Sequence, residues 1–327
     1  MLAATYTTLG PASEVLRIEE IDTPLPGPGE IRVKLYTSGV NPSDWKARLR
    51  GRGGAMPFDK IVPQSDGAGV IDDVGEGINI NRIGQRVWVM NGQWKRAFGT
   101  AAEFIVLKEK YVIELPDGTS FDDGACFGIP FLTAHRAVTY DGDVTGQTIL
   151  ISGGAGAVGH HAIQVAKFKG ARVITTVSSR EKTEHALAAG ADEVVNYRDE
   201  DAVLRVLELT GGAGVDRIIE LNLSANAPMY GNVLAPGGTV IIYGTDKPTA
   251  AIPAMDFIVR GAELKWFIVY ELSDHARSTG VKDLNKMLEE NALFTTVASS
   301  FSLSDIVAAH EMVEDAHHIG NVIINIV

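Results

Sequence analysis

The stretch Thr148–Lys182 reads TILISGGAGAVGHHAIQVAKFKGARVITTVSSREK, and its reading decides the fold. It opens on Ile149, Leu150 and Ile151, a run of β-formers without polar interruption, which is the pattern of a strand buried on both faces. A cluster of small residues follows, from Ser152 through Gly153, Gly154, Ala155, Gly156, Ala157 and Val158 to Gly159. Apolar residues at 158, 162, 165 and 166 then fall at helical spacing. Gly170 stands where a helix C-terminus needs it, and Arg172–Val177 is a second β-branched strand. Strand, glycine turn, helix and parallel strand make a βαβ unit. The first turn of its helix offers unpaired N–H groups and partial positive charge to a pyrophosphate. Side chains at the glycines would hold the phosphates away from the backbone, so Gly154, Ala155, Gly156, Ala157, Val158 and Gly159 are read as the cofactor turn.

The end of the second strand indicates which dinucleotide is held. An Asp or Glu there, ~20 residues past the glycines, accepts the ribose hydroxyls of NAD. This chain has Ser178-Ser179-Arg180-Glu181-Lys182 instead. Hydroxyls and two cations suit a 2′-phosphate, which a carboxylate at 178 would repel, and the expectation is NADPH. A helix N-cap at Ser178 or Ser179 is compatible with the same residues.

The chain of 327 residues is long enough for two domains with separate cores. A net charge of −12 argues against a nucleic-acid or anionic-membrane surface. One cysteine, Cys126, excludes an intramolecular disulfide and a Cys-rich zinc site. No apolar run approaches ~18 residues, and the start MLAATYTTLG lacks a signal-peptide pattern, so a cytoplasmic protein is expected.

The first 110 or so residues carry short β-rich runs (2–6, 15–19, 31–40, 69–74, 86–89 and 102–106) divided by Pro/Gly/Asp turns, the mark of a compact β-barrel-like domain. A short helix is expected after Asn41-Pro42 with Ser43 as its cap, and a loop over 49–56. From Asp122 helices and strands alternate, which means a parallel, doubly wound sheet. Beyond Leu264 two helices (281–290 and 304–315) and a strand (321–326) are expected to return to the first domain. The division expected is 1–121 with 265–327, and 122–264 between them. The site is expected where the two domains meet. The strand at 239–243 is expected near the open edge of the sheet, with a following strand near 264–268 free to pair across a two-fold axis.

Taken together, the blocks GPASEVLRIEE, PGPGEIRVKLYTSGVNPSDWKAR, PQSDGAGVIDDVG, IPFLTAHRAV, GGAGAVGHHAIQVAK, VVNYRDED and GNVIINIV resemble the medium-chain dehydrogenase/reductase superfamily. The likeness runs along essentially the whole chain, and within the superfamily it is to the zinc-free quinone oxidoreductase branch that includes zeta-crystallin. The resemblance implies an α/β fold, with a Rossmann-type doubly wound parallel sheet plus a GroES-like β-barrel-type catalytic domain. The superfamily's zinc alcohol dehydrogenases have a Cys where this chain has Asn41 and His-Glu where it has Ser65-Asp66. A zinc site needs about three protein ligands, and Asn41, Ser65 and Asp66 make a poor set, so no metal is expected.

By the same resemblance Asn41 and Thr133 are catalytic, lying near the nicotinamide and substrate. Lys46 falls where relatives often have a cofactor-contacting Tyr. Ser178, Arg180 and Lys182 fit the 2′-phosphate end, with Tyr197 closing over it. Asn226 matches an Asn beside a ribose, Tyr243 and Gly244 end a strand lining the nicotinamide pocket, and Phe267 and Ile268 extend that lining. His135 reads as a packed histidine, and Asp66 as a structural acid. The activity implied is zinc-independent hydride transfer from NADPH to a quinone, in a homodimer or tetramer. Reduction of an enone or enal C=C bond is the alternative. A non-catalytic crystallin-like or RNA-binding role is opposed by the retained glycine turn and the acidic balance.

Overall fold

A computed structural model describes residues 1–326, which form two compact units, 1–130 with 295–326, and 131–294. In the first unit β1 (Leu2–Thr5) leads through the short helix α1 (Ala12–Val15) to its antiparallel partner β2 (Arg17–Glu20). The long β3 (Glu30–Val40) follows, then α2 (Pro42–Arg50), β4 (Asp66–Val74), β5 (Arg86–Val89), β6 (Phe104–Lys108), β7 (Val112–Glu114) and the one-turn α3 (Phe121–Gly124). With eleven residues, β3 has room for two partners along one edge. Its first half pairs with β6, and its second half with a strand from the C-terminal segment. Alternate residues Ile31, Val33 and Leu35 of β3 meet Ile71, Val87, Val89, Ile105 and Leu107 in one core, the period-2 pattern of a sheet buried on one face.

The second unit opens with α4 (Leu132–Thr139). Six strands then alternate with helices: β8 (Thr148–Ser152), α5 (Ala157–Phe168), β9 (Arg172–Val177), α6 (Arg180–Ala188), β10 (Glu193–Asn196) and α7 (Ala202–Leu209). After them come β11 (Val215–Glu220), α8 (Leu223–Val233), β12 (Leu234–Ile242), α9 (Ala254–Arg260), β13 (Glu263–Trp266) and α10 (Asp274–Glu289). All neighbours are parallel, in the order β10-β9-β8-β11-β12-β13. Strand order therefore reverses between β8 and β11, the position at which open α/β sheets receive ligands outside their C-terminal ends. Leu150, Ile174, Val195, Ile218 and Val240, one from each of five strands, share a core under α7 and α8. Burying each such side chain fully stabilises by about 1.5–3 kcal/mol.

The chain then returns to the first unit as β14 (Val297–Ser302), α11 (Ile306–Asp315) and β15 (Asn321–Asn325). β15 runs antiparallel to β3, β14 parallel to β15, and Ile306, Ala309 and Val313 of α11 pack with Ala3, Ala4 and Tyr6. The units break after 130 and 294, not after 121 and 264. The reason is local: β13 extends the parallel sheet beside β12, and α10 packs on α4, so residues 265–294 stay with the second unit. The cap of α2 is Asn41, not Ser43, and Leu49 and Arg50 complete that helix.

Candidate active site

In the first unit the sharpest polar cluster surrounds Asn41. Its backbone N–H donates to Asp44 Oδ2 at 2.8 Å and its side-chain Nδ2 to Asp66 Oδ2 at 2.9 Å. The same Asp66 oxygen accepts the Ile129 N–H at 2.8 Å, while Oδ1 is buried without a partner among the described residues. Burial pushes the Asp66 carboxyl well above the usual range, against the Ile129 N–H and reinforced by nearby Asp44. Burial likewise pushes Asp44 up to about 7. An acid held towards its neutral form and an amide already donating to it do not fit a zinc ion. No group of three His, Cys, Asp or Glu among the described residues could hold one. Lys46, also on α2, lies 5.6 Å from the Trp45 ring centroid.

In the second unit the expected residues gather at one edge of the sheet. Gly154 and Gly159 are there because the turn leaves no room for a side chain. A Cβ at Gly154 would lie 2.2 Å from Thr175 Oγ1, and one at Gly159 2.2 Å from the Gly153 carbonyl oxygen. The N-cap of α5 is Gly156, which has no side chain to occupy the first-turn N–H groups beyond it. Ala155 is buried in the turn, and Ala157 and Val158 open the helix. This backbone fits a dinucleotide pyrophosphate.

At the end of β9 the Ser179 hydroxyl caps α6, accepting the Lys182 N–H at 3.2 Å. Neither the Ser178 hydroxyl nor the Lys182 ammonium has a partner among the described residues. Arg180 is different: it is 93 % exposed and paired along the helix with Glu184 at 3.1 Å. Tyr197, half-exposed, follows β10, and its N–H bonds the Val177 carbonyl, which sets it beside Ser178. Further along the edge the Tyr243 N–H bonds the Glu220 carbonyl, Gly244 accepts the Leu223 N–H, and the Phe267 N–H bonds Ile242. Tyr243 and Phe267 rings lie 6.4 Å apart, and Ile268 is exposed beyond them. Thr133 is buried in α4. His135 is a packed histidine there, with Nε2 2.7 Å from Asp283 Oδ2.

Sequence reading missed a second polar cluster. Glu220, at the end of β11, is fully buried and receives hydrogen bonds from Ser152 Oγ, the Asn222 N–H and Asn226 Nδ2. Burial pushes its carboxyl up to about 7, against those three donors. An acid closing an otherwise apolar strand run, Ile218-Ile219-Glu220, was the available signal. Asp44 was missed because nothing in PSDWK marks its carboxylate as buried.

Residues 157–288 match the zinc-binding dehydrogenase family model, and residues 27–117 the alcohol dehydrogenase GroES-like domain model. The quinone oxidoreductase of Homo sapiens is 29% identical over 300 residues, covering 91% of this chain and 89% of its own. Among solved structures, an NAD-dependent alcohol dehydrogenase matches with a TM-score of 0.92 at 27% identity over 100% of both chains. A mycobacterial protein solved in complex with NADPH matches with a TM-score of 0.89 at 28% identity, again over 100% of both. With both halves of the chain matched in order, and relatives alike along nearly its whole length, the chain belongs to the medium-chain dehydrogenase/reductase superfamily and is a quinone-oxidoreductase-like oxidoreductase within it.

Proposed function

We propose that the protein reduces quinones with NADPH, without zinc, as a cytoplasmic homodimer. The observation that carries the cofactor choice is the end of β9. Ser178 and the unpartnered Lys182 ammonium stand there, with no carboxylate at the strand end itself. A 2′-phosphate gains charge-assisted hydrogen bonds at such a site, and an NAD-type acid is missing. The quinone as substrate is supported by likeness to the human quinone oxidoreductase. When bound, the nicotinamide supplies the hydride. The chain's own residues bind and orient: the turn from Gly154 to Gly159 holds the pyrophosphate, and Ser178 and Lys182 the 2′-phosphate. Tyr197 covers that end, with Arg180 a lesser contact because Glu184 engages it. Asn226, Tyr243, Gly244, Phe267 and Ile268 serve the remaining length of the cofactor. Lys46, Asn41 and Thr133 serve the nicotinamide and substrate end. Asp66, holding the Asn41 amide, fixes its orientation.

The dimer reading rests on β13, the outermost strand of its sheet, and on α9 just before it. Met255, Ile258, Val259 and Trp266 are all more than half exposed there. An unpaired strand edge beside apolar surface is a surface that folded proteins cover. Initial rates of NADPH and NADH oxidation with a benzoquinone, a small enone and a simple aldehyde test the function. The expected result is turnover with NADPH and the quinone. Turnover confined to the enone would replace the substrate reading with C=C reduction, and equal rates with NADH would remove the cofactor preference.

A further inference from the structure

The buried cluster at the end of β11 does more than fill space. Ser152 has one hydroxyl proton, and it goes to Glu220 Oε2 at 3.0 Å. The Tyr230 phenol, 3.0 Å from Ser152 Oγ, is therefore the donor in that contact. Glu220 Oε1 takes the Asn222 N–H, and Asn226 Nδ2 lies 3.1 Å from Oε1 and 3.3 Å from Oε2. An ionised carboxylate only accepts, so it fixes which end of the Asn226 amide faces it. The amide nitrogen is turned inward, and the side-chain oxygen of this half-buried residue has no partner among the described residues. Ser152 and Glu220 end β8 and β11, the two strands that flank the reversal of strand order. A dinucleotide whose pyrophosphate sits on the neighbouring α5 turn has a ribose on either side of it, and ribose hydroxyls are donors in search of an acceptor.

We propose that Glu220 is a positioning residue that locks the Asn226 amide with its oxygen outward, as the acceptor for a ribose hydroxyl of the bound dinucleotide. This rests on the cofactor reading given above. A proton on Glu220 would undo the lock, since a neutral carboxyl must itself donate, and Asn226 can answer by turning its oxygen inward. The titratable groups around Glu220 are the Tyr230 and Tyr243 phenols and, through Asn222, Asp246. No cation among the described residues acts on it, so burial prevails and the carboxyl titrates near neutrality. Dinucleotide binding should accordingly release a proton from Glu220 around pH 7.

Calorimetric titration of NADPH and NADH from pH 6 to 8.5 tests this on wild type, Glu220→Gln, Asn226→Ala and the double variant. NADH is included because it lacks the titrating 2′-phosphate. Wild-type affinity should fall by about three- to tenfold in all as pH drops through 7, and then level off. At pH 8 Glu220→Gln should bind about three- to tenfold more weakly, the loss of one hydrogen bond, with that pH dependence gone. Asn226→Ala should show the same loss, and the double variant no more than either single one. Additive losses, or Glu220→Gln with wild-type affinity and pH profile, would overturn the proposal while leaving the cofactor reading intact. A wild type that binds neither cofactor would overturn both. Should Glu220→Gln fail to fold, a wild-type pH profile retained in Asn226→Ala overturns the proposal equally well.

Discussion

At the residue scale the decisive group is Lys182. Its ammonium has no partner among the described residues, so its charge is available to a phosphate and its removal disturbs no ion pair there. A charge-assisted contact of this kind is worth about 1.5–3 kcal/mol. Lys182→Ala should therefore weaken NADPH by roughly ten- to a hundredfold and leave NADH nearly unchanged, as read from dissociation constants. An unchanged ratio between the cofactors would remove Lys182 from the site.

Buried titratable residues set the pH response. Burial pushes His160 down to about 4 and His161 and His310 down to about 3. The ordinary histidine value of ~6.5 applies in the unfolded chain. Below that pH the unfolded chain takes up protons that the native one refuses, so this contribution is lost as pH falls through 6.5. Asp44, Asp66 and Glu220 act in the opposite sense. Their carboxyls are raised, so their contribution is complete below the ordinary carboxylate range and is lost as pH rises, towards about 7 for Asp44 and Glu220 and well above the ordinary range for Asp66. The two sets partly cancel between pH 4.5 and 6.5. Removing one member uncovers the other: His310→Leu should shift the slope of urea-unfolding stability against pH there in the negative direction by up to ~1.4 kcal/mol per pH unit. A slope equal to wild type would mean that native His310 already takes up its proton.

At the element scale the turn between β8 and α5 is where backbone, not side chains, makes the site. Gly159→Ala places a methyl group 2.2 Å from the Gly153 carbonyl oxygen and 3.0 Å from Gly154 Cα, so the turn itself must move. Overpacking of this kind costs about 1–3 kcal/mol. Cofactor affinity should fall at least tenfold with it, because the displaced backbone is the phosphate-binding surface. Wild-type affinity in this variant, measured by fluorescence titration, would show that the turn is an ordinary strand-to-helix connection. The same reasoning explains why α10 misled the sequence reading. Its amphipathic pattern is legible, but a pattern shows that a face is buried and not which neighbour buries it. The neighbour is α4, whose last residue, Thr139, lies 135 positions before the first of α10, Asp274.

At the scale of the whole molecule two expectations follow. The exposed edge of β13 and the apolar surface of α9 should be covered by a second copy. Wild type should have a dimeric mass by light scattering at micromolar concentration, and Ile258→Glu with Trp266→Lys should shift it to the monomer. A monomeric wild type would leave that edge free. Because Asn41, Ser65 and Asp66 do not make a zinc set, turnover should survive prolonged chelation. Stoichiometric zinc lost together with activity would reverse that assignment.

Several features were fixed by the sequence alone because they depend on local chemistry. The buried β-branched run of β8, the glycines whose missing side chains shape the turn, and the alternation of helix and strand are readable at short range. So is the missing acid at the end of β9. Other features depend on which distant residues meet, and pairing at long range leaves no local period. Only the tertiary structure could join β15 to the second half of β3, or keep residues 265–294 with the parallel sheet. It alone shows that Ser179, not Ser178, caps α6, leaving the Ser178 hydroxyl and the Lys182 ammonium without partners among the described residues. The Glu220 cluster is the clearest case. Ser152 lies 68 residues before Glu220 and 78 before Tyr230, and only packing removes the water that would otherwise serve each of these groups.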